Sequence, residues 1–201
     1  MIGNEREAQL ATITRMADAA NDLKQLPRMG WLLAGIANAE SVAEHSFGVA
    51  ILAMALAQTV NTAPAEQGIE RPLSIERVLK IALLHDLAES IVTDLPKRAT
   101  EMIGEEAKHA AEHNAWQMLA KDDATAQEWM AYWLEYEAAS SPEARLVRDA
   151  DKLEMIHQAL QYRASGNRRV EEFLADKSWA YPVSSAFREH LLTRAGITET
   201  N

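Results

Sequence analysis

The chain of 201 residues is rich in helix-forming residues from end to end, and this feature restricts its fold more than any other. Ala, Leu, Glu, Gln and Met dominate, whereas runs that alternate β-branched and polar side chains, as half-buried strands do, are absent. Near the N-terminus, apolar residues at Leu10, Ile13, Met16, Ala17 and Ala20 follow the helical period and form one stripe. We therefore predict an all-α fold, a bundle of six or more helices.

Residues that begin and end helices divide this pattern into segments. Ser41-Val42-Ala43-Glu44 matches a capping box, in which the Ser hydroxyl and the Glu carboxylate satisfy free backbone amides, and Ser74 is a second N-cap. The segment from Leu26 to Ala39 is expected to be a loop, because Pro27 and Gly30 interrupt the helical pattern. The expected helices cover residues 4–24, 41–60, 74–91, 98–120, 124–139 and 142–164, with a weaker helical pattern over about 168–195.

Length and composition restrict the class of protein. The chain is long enough for one domain with a sizeable core, and neither a repeat nor a linker divides it, so we expect a single domain over residues 1–201. The net charge of −10 argues against a broad nucleic-acid-binding surface, and the lack of cysteine excludes disulfides, thiolate metal sites and a cysteine nucleophile. The longest apolar run, Phe47 to Ala57, is too short to span a membrane, and the N-terminus lacks the apolar stretch of a secretory signal. We expect a cytoplasmic protein that does not enter membranes.

Three histidine and aspartate segments are candidates for a metal site. His85-Asp86 follows the apolar run Val78 to Leu84, where a histidine and an aspartate are unlikely to be buried without partners. Glu89 lies one helical turn after His85, and Asp94 follows in the expected loop. His45 begins another apolar helix.

Asp151 lies inside a further, mostly apolar helix. Two imidazoles and two carboxylates suit a divalent ion such as Mn, Co, Fe or Zn, with Mg also possible. Each residue alone is as compatible with a core or surface role, and their spacing along the chain does not connect them.

Longer motifs connect these residues. Their order resembles that of the HD-domain superfamily of metal-dependent phosphohydrolases, and the surrounding stretches resemble its 5'-deoxynucleotidase branch, the YfbR-like and HD-domain-containing-protein-2 type. The resemblance covers about residues 23–165, followed by C-terminal helices at about 168–195. It is carried by five stretches in the same order: Leu26-Pro27-Arg28-Met29-Gly30-Trp31, Glu40-Ser41-Val42-Ala43-Glu44-His45-Ser46, Ala82-Leu83-Leu84-His85-Asp86-Leu87-Ala88-Glu89, Thr93-Asp94-Leu95-Pro96, and the block from Glu135-Tyr136-Glu137 to Asp151-Lys152-Leu153-Glu154-Met155.

The resemblance implies a role for each matching residue. His45, His85, Asp86 and Asp151 would bind one divalent metal ion. The implied reaction is the release of phosphate from deoxynucleoside 5'-monophosphates by attack of a metal-activated water, in a homodimer.

Two further pairs of residues are implied to act on the substrate. Glu89 and Asp94 would be the catalytic carboxylates. Glu89 would orient or deprotonate the water and Asp94 would act on the leaving oxygen, although the two roles could be exchanged. Arg28 would bind phosphate and Trp31 would contact the sugar. In the YfbR-like form the arginine directly precedes the tryptophan, whereas Met29 and Gly30 intervene here, as in the HD-domain-containing-protein-2 type.

Three other functions remain open at this stage. His109-Ala110-Ala111-Glu112-His113 fits the H-x-x-E-H zinc motif of inverzincin peptidases. His109 and His113 also lie between Asp86 and Asp151, where HD-fold diiron oxygenases and two-metal phosphodiesterases have extra ligands; a triphosphohydrolase is a related alternative. The third alternative is a non-catalytic HD module that binds a nucleotide, against which the presence of both Glu89 and Asp94 argues.

Overall fold

The computed structural model describes residues 2–121, 123–175 and 178–197, apart from the side chains of residues 2–5. Within these ranges the chain forms ten α-helices, two short 3-10 helices and no strand, which confirms the predicted all-α fold. The α-helices are α1 (Ile2–Leu23), α2 (Met29–Leu33), α3 (Val42–Thr62), α4 (Ile75–Leu84), α5 (Glu89–Val92), α6 (Lys97–Ile103), α7 (Glu105–Ala120), α8 (Ala124–Ala138), α9 (Pro142–Ala164) and α10 (Pro182–Arg194); the 3-10 helices cover Pro64–Gln67 and Glu171–Leu174.

Helix α3 lies at the centre of the fold and packs against α4 and α9. Its inward residues include Val49, Ala53 and Val60, which are fully buried against apolar side chains of both neighbours. Of the described helices, α3 alone has the length and apolarity of a membrane span, but 44% of its most apolar window is buried inside the protein. Nearly half of this window therefore belongs to the protein core.

The predicted helix starts are confirmed at the level of individual hydrogen bonds. The Glu44 N–H donates to the Ser41 hydroxyl (3.1 Å), and the Ser41 N–H donates to the Glu44 carboxylate (2.7 Å), which completes the capping box of α3. The hydroxyls of Ser74 and Ser141 accept the N–H groups of Arg77 and Ala144 and so cap α4 and α9. These bonds join residues three apart in sequence, so the sequence pattern is sufficient to predict them.

Three expected boundaries are wrong. The segment 26–39 is not all loop, because α2 forms within it. The expected helix 98–120 is two helices, since Gly104 has a φ of +92° and turns the chain between α6 and α7. The expected helix 74–91 is interrupted after Leu84, where the backbone bonds Leu87 N–H to Leu84 O and Glu89 N–H to Asp86 O tighten the chain into turns.

The C-terminal segment packs onto α9. The Glu171–Leu174 3-10 helix and α10 both contact α9. The buried Asp149 carboxylate accepts hydrogen bonds from the backbone N–H groups of Ala180 and Tyr181, and the Tyr181 hydroxyl donates to the Pro142 carbonyl (2.8 Å). These bonds connect the start of α10 to α9, so the weaker helical pattern of this segment is supported by tertiary contacts.

Candidate metal centre

The structure brings the four predicted metal ligands together from three parts of the fold. His45 lies in the first turn of α3, His85 and Asp86 in the turn after α4, and Asp151 in the middle of α9. His45 Nε2 is 3.2 Å from Asp151 Oδ1 and 3.8 Å from Asp86 Oδ2, while His85 Nε2 is 3.2 Å from Asp86 Oδ2. His45, His85 and Asp151 each offer a ligand atom, and these atoms lie within 4.8 Å of one another.

Both imidazole rings are oriented so that Nε2 faces this cluster. His45 Nδ1 is 2.6 Å from Glu154 Oε2, and His85 Nδ1 is 2.7 Å from the Ala82 carbonyl. An Nδ1–H that donates to these oxygens leaves the lone pair on Nε2. Both Nε2 atoms are buried, and neither has a hydrogen-bond partner among the described residues. Two buried, unpartnered nitrogen acceptors beside two carboxylates are a donor set that fits a divalent ion.

The charges of the cluster also favour a cation. Burial and the Arg28 charge by themselves would lower the pKa of His45, but the neighbouring carboxylates of Asp151 and Glu154 raise it to about 9. Although burial opposes it, the neighbouring histidines hold the pKa values of Asp86 and Asp151 well below their usual range. A site that attracts a proton so strongly will also attract a metal ion, which competes with that proton.

A cavity of about 390 Å³ opens onto the cluster. All four remaining predicted site residues, Arg28, Trp31, Glu89 and Asp94, line it, together with His85, Asp86 and Asp151. The cavity therefore joins three of the candidate ligands to the candidate substrate-binding and catalytic residues.

Arg28 lies beside the ligand cluster. Its backbone N–H donates to the Glu40 carbonyl (2.9 Å), which holds the segment before α2 against the start of α3. Its Nη1 is 3.4 Å from Asp86 Oδ2 and 3.8 Å from Asp94 Oδ1. Burial alone would lower the pKa of Arg28, but the surrounding carboxylates raise it, so the guanidinium is a permanent positive charge in the cavity.

Glu89 begins α5 and is 5% exposed. Burial raises the pKa of its carboxyl well above the usual value, the charges of Asp86 and Asp94 raise it further, and Arg28 opposes the shift. Its buried Oε2 has no hydrogen-bond partner within the described ranges. A carboxyl whose pKa is raised in this way keeps its proton to a higher pH than a free carboxyl does, which suits it to acid–base chemistry.

Asp94 is placed by a strained backbone. Thr93, a β-branched residue, has a φ of +70°, a conformation that is costly for residues other than glycine. Its N–H donates to the Glu89 carbonyl (2.8 Å), which ends α5 and turns the chain towards the cavity. The Asp94 carboxylate, 7% exposed, then accepts a hydrogen bond from the Met29 N–H.

Trp31 is mainly a core residue, although one part of it lines the cavity. It is 2% exposed, and its ring centroid lies 4.4 Å from that of Phe173 and 5.3 Å from that of Tyr162. Its indole N–H donates to Glu40 Oε1 at 2.7 Å. Trp31 can therefore be a core residue and still present one part of its ring to the cavity.

Two residues contact the candidate ligands without having been singled out from the sequence. The Tyr136 hydroxyl donates to Asp151 Oδ2 at 2.9 Å, and its ring lies 5.1 Å from that of His85. Glu154 contacts His45 as described above. Both lie in the motif block at 135–155, and Glu154 follows Asp151 by three residues, so the two share a face of α9. The three-residue spacing between Asp151 and Glu154 is the sequence feature that could have identified Glu154.

His109 and His113 lie apart from the metal cluster. The His109 ring stacks on Trp133 at 5.2 Å and its Nδ1 is 3.3 Å from Glu137, whereas the buried Glu112 pairs with Lys108 (3.4 Å). Neither histidine belongs to a group of potential metal ligands in the described part of the chain. This arrangement gives no support to an H-x-x-E-H zinc site or to extra ligands for a second metal.

The chain is also similar in sequence to known proteins. The family model of the HD domain matches residues 20–187. The chain is 36% identical over 179 residues to the 5'-deoxynucleotidase hdd1 of Schizosaccharomyces pombe, which covers 86% of this chain and 82% of that protein. It is 36% identical over 155 residues to the 5'-deoxynucleotidase HDDC2 of Danio rerio, covering 75% of this chain and 70% of the relative.

Solved structures show the same fold. The PH0347 protein of Pyrococcus horikoshii OT3 matches with a TM-score of 0.73 and 37% identity, over 92% of this chain and 99% of that chain. A protein described as a predicted metal-dependent phosphohydrolase from Magnetospirillum magnetotacticum MS-1 matches with a TM-score of 0.69 over 95% of this chain and 94% of that chain. At 24% identity, this second likeness concerns the fold alone.

Proposed function

The chain belongs to the HD-domain family, and on that premise we propose that it is a 5'-deoxynucleotidase, which releases phosphate from deoxynucleoside 5'-monophosphates with the help of a divalent metal ion. The observation that carries this proposal is the pair of buried, unpartnered Nε2 atoms of His45 and His85 at the end of a cavity lined by Arg28, Glu89 and Asp94. A module that only binds a nucleotide needs neither Glu89 nor Asp94, whereas a hydrolase needs groups that transfer protons.

We assign His45, His85, Asp86 and Asp151 as the ligands of one metal ion per chain. Neutral imidazole nitrogens and carboxylate oxygens suit Mn, Co, Fe or Zn, and Mg is compatible. When bound, the ion would neutralise phosphoryl charge and lower the pKa of the attacking water. Tyr136 would orient the ligand Asp151 through the hydrogen bond described above.

Arg28 and Trp31 are assigned to substrate binding. The planar guanidinium of Arg28 offers parallel N–H donors that match two phosphoryl oxygens. Its present partners, Asp86 and Asp94, lie at 3.4 and 3.8 Å, so the contacts are loose enough to be exchanged for phosphate. Trp31 would contact the deoxyribose with the part of its ring that lines the cavity.

Glu89 and Asp94 are assigned to proton transfer. In the first assignment Glu89 orients or deprotonates water and Asp94 protonates the leaving sugar oxygen. The raised pKa of Glu89 favours the exchanged assignment, in which Glu89 is the proton donor, because a carboxyl that retains its proton can donate it. The charge of a bound cation would lower the pKa of Glu89 again and so favour the first assignment.

A substrate whose leaving group needs no proton separates the two assignments. With p-nitrophenyl phosphate, substitution of the proton donor costs little activity, while substitution of the base costs as much as with a nucleotide. Comparing Glu89→Gln with Asp94→Asn on both substrates therefore identifies the donor. If neither substitution lowers turnover of the nucleotide, the catalytic assignment is wrong.

The proposed activity is tested by phosphate release from nucleoside mono-, di- and triphosphates with Mn, Co, Mg, Fe or Zn. We expect release from deoxynucleoside 5'-monophosphates, its loss with a chelator, and its return with Mn or Co. His85→Asn should abolish it, whereas His157→Asn, an exposed histidine on α9, should not. Release from triphosphates alone would indicate a triphosphohydrolase, and no release by the metal-loaded protein from any nucleotide would refute the proposal.

We further propose a single HD domain over residues 1–201 that acts as a cytoplasmic homodimer on a small-molecule substrate. The net charge of −10 supports a small nucleotide over a nucleic-acid polymer, because polymer binding draws on many phosphate contacts. The dimer is expected from the family resemblance. Light scattering after size exclusion tests it, and a mass of 22.3 kDa, that of one chain, would refute it.

A further inference from the structure

Glu154 contacts His45 on the side of the ring that faces away from the cavity, and the proposed reaction does not use its carboxylate. His45 is fully buried, and its two ring nitrogens face two acidic residues of α9. Nε2 is 3.2 Å from Asp151 Oδ1, on the cavity side, and Nδ1 is 2.6 Å from Glu154 Oε2, on the far side. A carboxylate at Nδ1 keeps the ring proton on that nitrogen and leaves the Nε2 lone pair for a metal ion.

Gly48, one turn after His45 on α3, makes room for this carboxylate. A Cβ at position 48 would lie 2.8 Å from Glu154 Oε1 and 3.0 Å from its Cγ, closer than side chains normally approach. Glycine inside a helix is less stable than alanine by about 1 kcal/mol. The close approach of Glu154 is a packing reason for glycine at this position.

Glu40 is the other carboxyl near this face of the ring, and it has a different partner. Glu40, His45 and Glu154 offer ligand atoms within 4.8 Å of one another. Glu40 Oε1, however, accepts the Trp31 indole N–H at 2.7 Å, and burial with the nearby Glu154 charge raises the pKa of Glu40. Glu154 is therefore the acceptor at His45 Nδ1.

We infer that Glu154, in the space left open by Gly48, is a positioning residue that fixes the tautomer and orientation of His45 for metal binding. The inference rests on the proposed metal site, because it assigns no role to Glu154 if His45 is not a ligand. It predicts that two substitutions on different helices weaken the binding of the same ion, although neither residue touches that ion.

The first test measures Mn²⁺ affinity by titration calorimetry on the metal-free protein. Glu154→Ala removes the acceptor and should weaken Mn²⁺ binding about 10–100-fold, the usual cost of losing such a partner. Glu154→Gln retains an oxygen acceptor without its charge and should lie between wild type and Glu154→Ala. The control is His157→Ala. His157 is an exposed residue of α9 that lines the same surface groove as Gly48 and Glu154, and its substitution should leave the Mn²⁺ affinity unchanged.

The second test uses Gly48→Ala, which displaces Glu154 without removing it. The three atoms nearest to the new methyl all belong to the flexible Glu154 side chain, so the helix should be as stable as before or more stable, while Mn²⁺ affinity falls. The double variant Gly48→Ala/Glu154→Ala should bind Mn²⁺ no more weakly than Glu154→Ala alone, because both changes act through one contact. A purely structural role for either residue would lower stability and affinity together.

A spectroscopic measurement reads the tautomer directly. In the Zn²⁺-loaded protein, ¹⁵N-edited NMR should show a slowly exchanging, downfield His45 Nδ1–H proton, which Glu154→Ala should shift upfield and expose to exchange with water. If the wild type binds Mn²⁺ and both Glu154→Ala and Gly48→Ala bind it within about twofold of wild type, the inference is overturned and the metal site stands. A second Mn²⁺ per chain held by Glu40 and Glu154 would also overturn it. If the wild type binds no divalent ion, the proposed function itself fails.

If Glu154→Ala does not fold, the Mn²⁺ affinities of Gly48→Ala and Glu154→Gln test the inference instead.

Discussion

Replacement of Trp31 separates its part in the fold from its part in substrate binding. The side chain is 2% exposed, packs between Phe173 and Tyr162, and donates its indole N–H to Glu40. Trp31→Ala removes all of these contacts, and truncation of a buried tryptophan costs about 3–5 kcal/mol of unfolding free energy. For a chain of this size, the melting temperature should fall by roughly 6–20 °C.

Trp31→Phe isolates the hydrogen bond and the shape of the ring. Phenylalanine retains an aromatic ring beside Phe173 but leaves the half-buried Glu40 carboxyl without the indole donor. An unsatisfied partner of this kind costs about 1–3 kcal/mol, or roughly 2–12 °C in melting temperature. Trp133→Phe is the matched control, because Trp133 is fully buried, does not line the cavity, and its Nε1 has no hydrogen-bond partner among the described residues.

The assay combines thermal unfolding, followed by circular dichroism, with phosphate release at 25 °C from matched deoxy- and ribonucleoside monophosphates. We expect Trp31→Phe to raise KM for the deoxynucleotide and to change the ratio of kcat/KM between the two sugars, while Trp133→Phe changes neither. A melting temperature of Trp31→Ala within about 2 °C of wild type would refute the core role. An unchanged sugar ratio in Trp31→Phe would refute the sugar contact.

Four further predictions concern the site and the helix start. Mn²⁺ at 100 times its Kd should stabilise the protein by about 2.7 kcal/mol, seen as a rise of roughly 5–11 °C in melting temperature, and His85→Asn should abolish this rise. Glu89→Gln should lower kcat by about 10²–10⁴-fold while Mn²⁺ affinity by calorimetry is retained; loss of the metal would make Glu89 a ligand. Arg28→Lys should raise KM by roughly 10–100-fold through loss of the planar donor pair, and an unchanged KM would exclude a phosphate contact. Ser41→Ala should cost about 1 kcal/mol in urea unfolding at pH 7. The pKa of Glu44 is lowered by hydrogen bonds from the Ser41 N–H, which the variant keeps, and from the Ser41 hydroxyl, which it loses. The part of the stability difference that comes from the hydroxyl should therefore shrink as the pH falls through the lowered pKa, and a difference that grows as the pH falls would contradict this.

The sequence was sufficient for features that depend on neighbours along the chain. The caps at Ser41, Ser74 and Ser141 join groups three residues apart, and the helical stripes have a period of a few residues, so these elements could be predicted. The grouping of His45, His85 and Asp151 was also predicted, but only through ordered motifs, because no spacing rule connects residues so far apart.

Other features depend on packing between distant segments. The break after Leu84 was missed because the apolar period continues through it, whereas in the folded chain the turn aims His85, Asp86 and Glu89 into one cavity. The exclusion of His109 from the metal cluster follows from its stacking on Trp133 of a neighbouring helix.

The sequence by itself determined an all-helical chain, its main helix starts and the identities of the candidate ligands. Only the tertiary structure decided how those ligands are held. The bond between His45 and Glu154 joins residues 109 positions apart, and it requires that Gly48 have no side chain where α3 meets α9. Local sequence patterns reflect hydrogen bonds and solvent exposure within a few residues of one segment. The space between two packed helices depends on the side chains of both helices, which no local pattern contains.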